Sequence, residues 1–352
     1  MKIAVYCCAK NEEATVGGWA QSAKDADVLL LADTGSTDRT REIAAENGAA
    51  VHTIGISPWR FDDARNAALA LVRADVDICI ALDADETLSE GWRERVEMEW
   101  QSDWTRARYL YQWSPEKAYS FNRIHRRHGF HYVNPAHESL EWCGEGTDIT
   151  GWLSIVVTHR PPADKPRPNP LPLLELAVRE RPHDARMWHY LTREHGYRKD
   201  SAKVVECGHR ELALRGWNLE RAATMILLGS HSAETQREAW LQRAVMEAPG
   251  RREPLVALAR HFHDRADWPS CYAAATRALA ITERPIDYLA EVSAWGALPH
   301  DLAAVSAHWM GLRESAINYG KAALELAPDD TRLVCNLRNY VDAARGWLTS
   351  AA

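Results

Sequence analysis

The sequence of 352 residues has no apolar run long enough to cross a bilayer. Its opening, MKIAVYCCAKNEE, turns polar too soon for a signal peptide. Neither sign of charge dominates: 42 Lys and Arg against 49 Asp and Glu leave −7, too mild for a global field that gathers nucleic acid, though a local basic patch remains compatible with it. The seven cysteines are odd in number and form no CxxC pair. That excludes a disulfide framework and a cysteine zinc site, and the thiols read as reduced and packed in a cytoplasmic protein. Also missing are the GxxxxGK[ST] phosphate loop, the HExxH zinc pair and the GxSxG nucleophile elbow. Tryptophan is unusually frequent for its type, with fifteen copies, most expected in the core and some as stacking surfaces for flat or sugar-like ligands.

What is present divides into two rhythms. Up to about residue 160, short β-like runs alternate with helical patterns, which predicts an α/β layer fold. Strands are expected at KIAVYCCA (2–9), DVLLLAD (27–33), AVHTIGI (50–56) and VDICIALDAD (76–85), the last as the centre of a parallel sheet. Helices are expected at NEEATVGGWAQSAKDA, at STDRTREIAAENGA with Ser36, Thr37 and Asp38 as caps, and at FDDARNAALALVRA. RPPADKPRPNPLP (160–172) holds six prolines in thirteen residues and reads as a stiff, extended linker. Beyond it Ala, Leu and Arg recur at helical spacing. The expected division is therefore 1–160, a linker at 161–172, and an all-helical region at 173–352.

The helical half repeats. Pro182 and Pro249, Leu191 and Leu258, Asp200 and Asp267, and Ala213 and Ala280 share one offset, and ELAPDDTRLV offers a further start at Pro328. Half of that offset is close to the ~34-residue period of tetratricopeptide helix pairs. Such hairpins stack because none buries its apolar face alone, and the stack leaves a concave surface for an acceptor, a protein partner or a second copy of the chain.

CIALDADETL (79–88) starts as a buried strand and ends on Asp83, Asp85 and Glu86. Carboxylates that close repel unless something positive relieves them. Open α/β sheets bind ligands at the carboxyl ends of their strands, and there the sequence places Asn11 and Glu12 after the first strand, Asp33 after the second, and Asp83 and Asp85 after the central one. Acids so spaced can hold a hard divalent cation, Mg²⁺ or Mn²⁺, with a substrate diphosphate supplying further oxygens. Blander readings stand beside this one: Asp33 and Asp38 as helix caps, Arg65 paired with Asp62 or Asp63, and Glu86 as a first-turn helix acid.

LADTGSTDRT, WRFDDARNAAL and ICIALDADE, in this order and spacing, resemble the family 2 glycosyltransferases of GT-A fold over roughly residues 2–160. The resemblance implies a Rossmann-like nucleotide-sugar-binding domain. It implies Asp33 at the nucleotide base, Arg65 and Asn66 holding the nucleotide, and the DXD acids Asp83 and Asp85 at the metal and diphosphate. A subgroup with a His-Glu block, a later strand-end histidine and tetratricopeptide repeats is similar through NPAHESLEW (134–142) and WLSIVVTHR (152–160), although Ala136 stands where the subgroup has Val. By that resemblance Glu138 is the general base and His159 a third metal ligand. The implied activity is inverting transfer of a sugar from a nucleoside diphosphate sugar, by default a UDP-sugar, to an acceptor hydroxyl.

The acceptor stays open between a glycan, a lipid-linked sugar and a peptide. NRIHRRHGFH (122–131) brings Arg123, Arg126 and Arg127 with histidines, readable as a solvated hairpin rim or as an acceptor-side basic patch together with His137. The second reading would suit a hydroxymethylated DNA base. A nucleotidyltransferase fits less well, because CCAKNEEATVGG puts acids where a triphosphate would sit; a non-catalytic repeat adaptor would not need the acids and base candidates.

Overall fold

The protein is described by a computed structural model over residues 1–162 and 169–350, so the centre of the proline-rich stretch lies outside the described residues. The chain forms two compact units, Met1–Glu180 and Arg181–Ala352. Among the described residues no helix is long and apolar enough to cross a membrane.

The first unit is built on one mixed sheet. In chain order its elements are β1 (Ile3–Ala9), α1 (Val16–Ser22), β2 (Val28–Asp33), α2 (Thr40–Glu46), β3 (Ala50–Thr53), α3 (Phe61–Leu71), β4 (Ile78–Ala81), β5 (Glu86–Leu88) and α4 (Trp92–Glu99). They are followed by β6 (Arg106–Ser114), β7 (Lys117–Arg126), β8 (Phe130–Val133), β9 (Ser139–Trp142), β10 (Thr150–His159) and α5 (Leu171–Glu180). Eight strands lie in the order β3-β2-β1-β4-β7-β6-β10-β5, while β8 and β9 pair separately. The strands β3, β2, β1 and β4 are mutually parallel, and β7 is antiparallel to both β4 and β6. The sheet is thus mixed: β4 is central but has a parallel neighbour on one side only.

Parity along the strands divides the core. Ile3, Val5, Cys7, Leu29, Leu31, Ile78 and Ile80 face Trp19, Trp92 and Val96 of α1 and α4. Ala4, Tyr6, Leu30, Cys79 and Ala81 face Ala68 and Leu69 of α3 and Phe130, Tyr132 and Leu140 of the small hairpin. Apolar residues on both faces are what a strand buried from both sides requires. Two helices are shorter than the periodicity predicts. The Asn11 amide N–H donates to Ser36 Oγ at 2.9 Å and that of Glu13 to Asp38 at 3.1 Å, so the loops after β1 and β2 bind each other and delay α1 and α2.

The second unit is a run of antiparallel helix pairs: α6 (Ala185–Tyr197) with α7 (Ser201–Leu212), α8 (Asn218–His231) with α9 (Glu234–Glu247), and α10 (Arg252–Asp264) with α11 (Trp268–Leu279). A one-turn helix, α12 (Val292–Trp295), precedes the pair α13 (Leu298–Trp309) and α14 (Arg313–Leu326), and α15 (Thr331–Ser350) closes the run. The repeat offset now has a cause. Asp200 and Asp267 cap the second helix of their pairs, accepting from the backbone N–H of Lys203 and Ser270. Lys199 and Ala266, just before them, take left-handed φ values of 59° and 54°. The stretch 281–297 breaks the period and lies on the first helices of the pairs. Tyr288 packs 6.1 Å from Tyr190 and donates to Glu220 at 2.7 Å, Asp287 pairs with Arg251, and Trp295 donates to Glu253 at 3.0 Å.

Candidate active site

The acid run of the fourth strand forms a tight turn. Glu86 N–H donates to the Asp83 carbonyl at 3.0 Å, and Asp83 N–H donates back to the Glu86 carboxylate at 2.9 Å. Glu86 therefore opens β5 instead of a helix, correcting its expected place. Because β5 pairs antiparallel with β10, Glu86 stands opposite His159, which carries the strand-end histidine to the acid turn.

Two arginines relieve the repulsion. Arg65, from α3, donates through Nη2 to Asp83 Oδ1 at 2.5 Å and through Nε to Glu138 Oε1. Arg123, from β7, donates to Asp83 Oδ2 at 3.0 Å and to the same Glu138 oxygen at 3.3 Å. Burial by itself would raise the Asp83 pKa, but the guanidiniums of Arg123 and Arg65 hold it well below the usual carboxylate range. Glu86 goes the other way: burial and the Asp83 charge push it up to about 7, although Arg123 opposes this. Its Oε1 accepts from the Tyr111 hydroxyl at 2.7 Å. The alternative pairing of Arg65 with its helix neighbours is not the one adopted; Asp62 bonds Arg60 instead.

Asp85, only 9 % exposed, lies beside His159, with Nε2 3.7 Å from Asp85 Oδ2. The imidazole stacks on Trp113, 4.3 Å between centroids at 17°, and also hydrogen-bonds the Trp113 backbone. Burial alone would lower the His159 pKa; the Asp85 carboxylate reverses this and raises it.

Asp83, Asp85 and Glu138 outnumber Arg65 and Arg123 here, a charge balance that suits a divalent cation. Among the described residues no three His, Cys, Asp or Glu side chains make a ready metal cage. Asp85 and His159 form a pair, and an imidazole fixed by a backbone hydrogen bond with Nε2 turned toward a carboxylate is oriented as metal-binding histidines are. One carboxylate and one imidazole fit an ion that takes its remaining oxygens from a substrate diphosphate. Asp83, expected among the ligands, has both oxygens engaged by arginine.

The residues expected at the nucleotide are mostly used in shaping loops. Asp33 is fully buried and accepts from the N–H groups of Gly35 and Ser36. Asn11, at φ 57°, accepts from Thr37 N–H at 2.8 Å, and Glu12 N–H donates to Thr40 at 2.7 Å. Asn66 does not accompany Arg65: its amide bonds both backbone groups of Tyr132, at 2.8 Å each, and pins β8 to α3. The loop from β8 to β9 then carries Glu138 inward, past His137, which is exposed at φ 50°.

The basic segment is divided, a correction to the acceptor-side grouping. Because β7 runs antiparallel to β4, Arg123 sits at the acid edge while Arg126 pairs in register with Ile78 at the opposite edge. There Arg126 donates to the Ser102 carbonyl and Arg127 to that of Val72. Tyr111 is the residue that sequence reasoning left out of the site, whereas Trp113 reads in the sequence, with Trp92, Trp100 and Trp104, as a core residue more often than a sugar platform; the alternation in YLYQWS places Tyr111 and Trp113 on one face of β6.

The family model of glycosyl transferase family 2 matches residues 4–152. No curated protein sequence counts as a match. Among solved structures, MamA is 14% identical over 46% of this chain and 89% of its own, with a TM-score of 0.37. A thermophilic TPR protein from Thermus thermophilus, TTC0263, is 17% identical over 49% and 88%, with a TM-score of 0.34. Glucosyl-3-phosphoglycerate synthase from Mycobacterium tuberculosis, crystallised with Mn²⁺, uridine diphosphate and phosphoglyceric acid, is 26% identical over 31% of this chain and 43% of its own, with a TM-score of 0.26. The chain thus spans less than half of that synthase. With the three sequence blocks falling inside the matched span, residues 4–152 are a domain of glycosyl transferase family 2.

Proposed function

We propose that the protein is a metal-dependent, inverting glycosyltransferase that moves a sugar from a nucleoside diphosphate sugar to an acceptor hydroxyl, with uridine as the first base to test. The observation that carries this reading is the convergence of Asp85 with His159, and of Glu138 with Arg65 and Arg123, around the acid turn at the end of β4. Mn²⁺ or Mg²⁺ bound by Asp85 and His159 would supply electrophilic stabilisation to the diphosphate.

The chain's own groups do the rest. Arg65 and Arg123 present guanidiniums beside the position of the leaving group, where charge accumulates. Both hold Glu138 by Oε1, which orients the carboxylate and assigns Oε2 the proton of the acceptor hydroxyl. The acceptor oxygen forms its bond to the anomeric carbon as the bond from that carbon to the phosphate oxygen breaks. The electron pair leaves on the diphosphate, and the single displacement inverts the anomeric centre.

Hydrolysis of a sugar-nucleotide panel, measured with Mn²⁺ and with chelator, tests the reading. Wild type should turn over one donor only with metal; Asp85→Ala and Glu138→Gln should each lose about a hundredfold or more. Full activity in Asp85→Ala would overturn the metal's place, and no turnover of any donor would overturn the reading as a whole.

A further inference from the structure

The hairpin that carries Glu138 stands apart from the main sheet. β8 and β9 pair with each other, Val133 opposite Ser139, and Glu138 lies in the loop between them. Phe130, Tyr132 and Leu140 dock this hairpin into the core. Asn66 holds the Tyr132 backbone, and a second set of bonds holds the Tyr132 side chain.

Those bonds form a chain of three buried groups across the sheet. The Tyr132 hydroxyl lies 3.0 Å from that of Tyr6 on β1, and the Tyr6 hydroxyl lies 3.2 Å from Nε2 of His125 on β7. The chain crosses β4, whose residues on this face, Cys79 and Ala81, are small enough to leave room. At the far end His125 Nδ1 is 2.7 Å from the Arg126 carbonyl. A carbonyl only accepts, so Nδ1 carries the proton. Burial pushes the imidazole down to about 4, although the bond to the Arg126 carbonyl opposes this, so the ring is neutral and Nε2 accepts. Tyr6 must then donate to Nε2, and Tyr132 to Tyr6. Every bond points one way, from the hairpin to β7.

Apolar rings of the same shape would fill this layer about as stably; what a satisfied polar chain adds is a single allowed position. Here it fixes the ring of Tyr132. Arg65 Cζ lies over that ring, 5.8 Å from the centroid, within reach of cation–π attraction. Arg65 in turn donates to Glu138 and Asp83. Its remaining nitrogen, Nη1, is buried and has no hydrogen-bond partner among the described residues. The place of this guanidinium therefore depends on two carboxylates and on what packs against it.

We infer that Tyr132, Tyr6 and His125 are positioning residues, whose hydrogen-bond chain sets the Tyr132 ring and, through it, Arg65 against Glu138 and Asp83. Being buried, none of the three meets a substrate. This rests on the glycosyl-transfer reading above.

Two measurements on the full chain test it. In nitrogen NMR of histidine-labelled protein at neutral pH, His125 should be neutral with its proton on Nδ1, and Tyr6→Phe should shift its Nε2 resonance. A proton on Nε2 would overturn the inference while leaving glycosyl transfer standing.

In the metal-dependent hydrolysis of the donor, Tyr132→Phe and Tyr6→Phe should each lower kcat about tenfold or more, with smaller changes in donor KM and Tm. Because both break one chain, the double variant should lose little more than either single. Tyr132→Leu, which removes the ring as well, should lose more than Tyr132→Phe. A merely structural role would lower Tm and leave the kcat of the folded protein in place. That result, additive losses, or wild-type kcat in both single variants would overturn the inference and leave glycosyl transfer standing. Absence of any donor turnover in wild type would remove both.

Discussion

Arg123 donates to Asp83 at 3.0 Å, and that bond ties an antiparallel strand to the acid turn that ends the parallel half of the sheet. With Arg65 it makes a closed quartet in which each guanidinium touches both carboxylates. Removing one member of such a buried set leaves charges uncompensated. Arg65→Met should therefore cost about 3–5 kcal/mol of stability, read as a fall in the Tm of the first unit. Adding Glu138→Gln removes one of the stranded charges and should restore part of the loss. If the double variant is no better than the sum of the singles, the two side chains are not coupled.

On the proposed metal-dependent reading, removal of the divalent cation should silence the protein without unfolding it, since the arginines remain as counter-charges. Mn²⁺ at a hundred times its Kd should add about 2.7 kcal/mol to stability, seen as a rise in Tm in the presence of UDP. Asp85→Asn and His159→Ala should abolish that rise. A rise of wild-type size in either variant would place the ion elsewhere.

In the helical unit, Glu211 and His189 are both buried around the Thr224 hydroxyl, with His189 Nδ1 2.9 Å from it. Burial raises the Glu211 carboxyl from 4.5 to about 8, with Thr224 and Arg221 opposing. It lowers His189 from 6.5 to about 4, with Glu220 opposing and Arg193 and Arg186 assisting. Between pH 4.5 and 8 the folded state keeps a Glu211 proton that the unfolded chain releases, so stability falls as pH rises. Between pH 4 and 6.5 the unfolded chain binds a His189 proton that the folded state refuses, so stability rises with pH. The two slopes offset each other up to about 6.5, and above it only the fall remains. Urea unfolding should show lower stability at pH 8 than at pH 6.5, and Glu211→Gln should flatten that difference.

Gly151, in β10, is where the indole of Trp104 crosses the backbone: a Cβ there would overlap the ring. Trp104 is itself packed edge-on against Trp100 at 5.9 Å and has little room to move. Gly151→Ala should cost about 1–3 kcal/mol by urea denaturation, and much less in a Trp104→Leu background. Equal cost in both backgrounds would point to the backbone and away from the ring.

The sequence pattern showed β1, β2 and β4 clearly because strands buried on both faces are apolar throughout, and the shared offset of Asp200 and Asp267 was legible because both make the same cap. Local pattern could not place Glu86. An acid after a strand looks like a helix start, and only pairing with β10, more than sixty residues later, makes it a strand residue. Arg123, Arg126 and Arg127 look like one patch along the chain, yet the rise of a strand carries them to opposite edges. The positive charge demanded by the acid run was sought outside the protein, whereas α3 and β7 supply two arginines from within.

The 281–297 stretch also sets where the second unit can be cut. Ending the chain after Ala280 would look natural from the repeat spacing, since α11 closes a complete pair there. Such a truncation would strip the rings of Tyr288 and Trp295 from Tyr190 and Arg252 and leave Arg251 without Asp287. A shortened version would be sticky and fragile, and a binding result obtained with it would report that wound instead of a native surface.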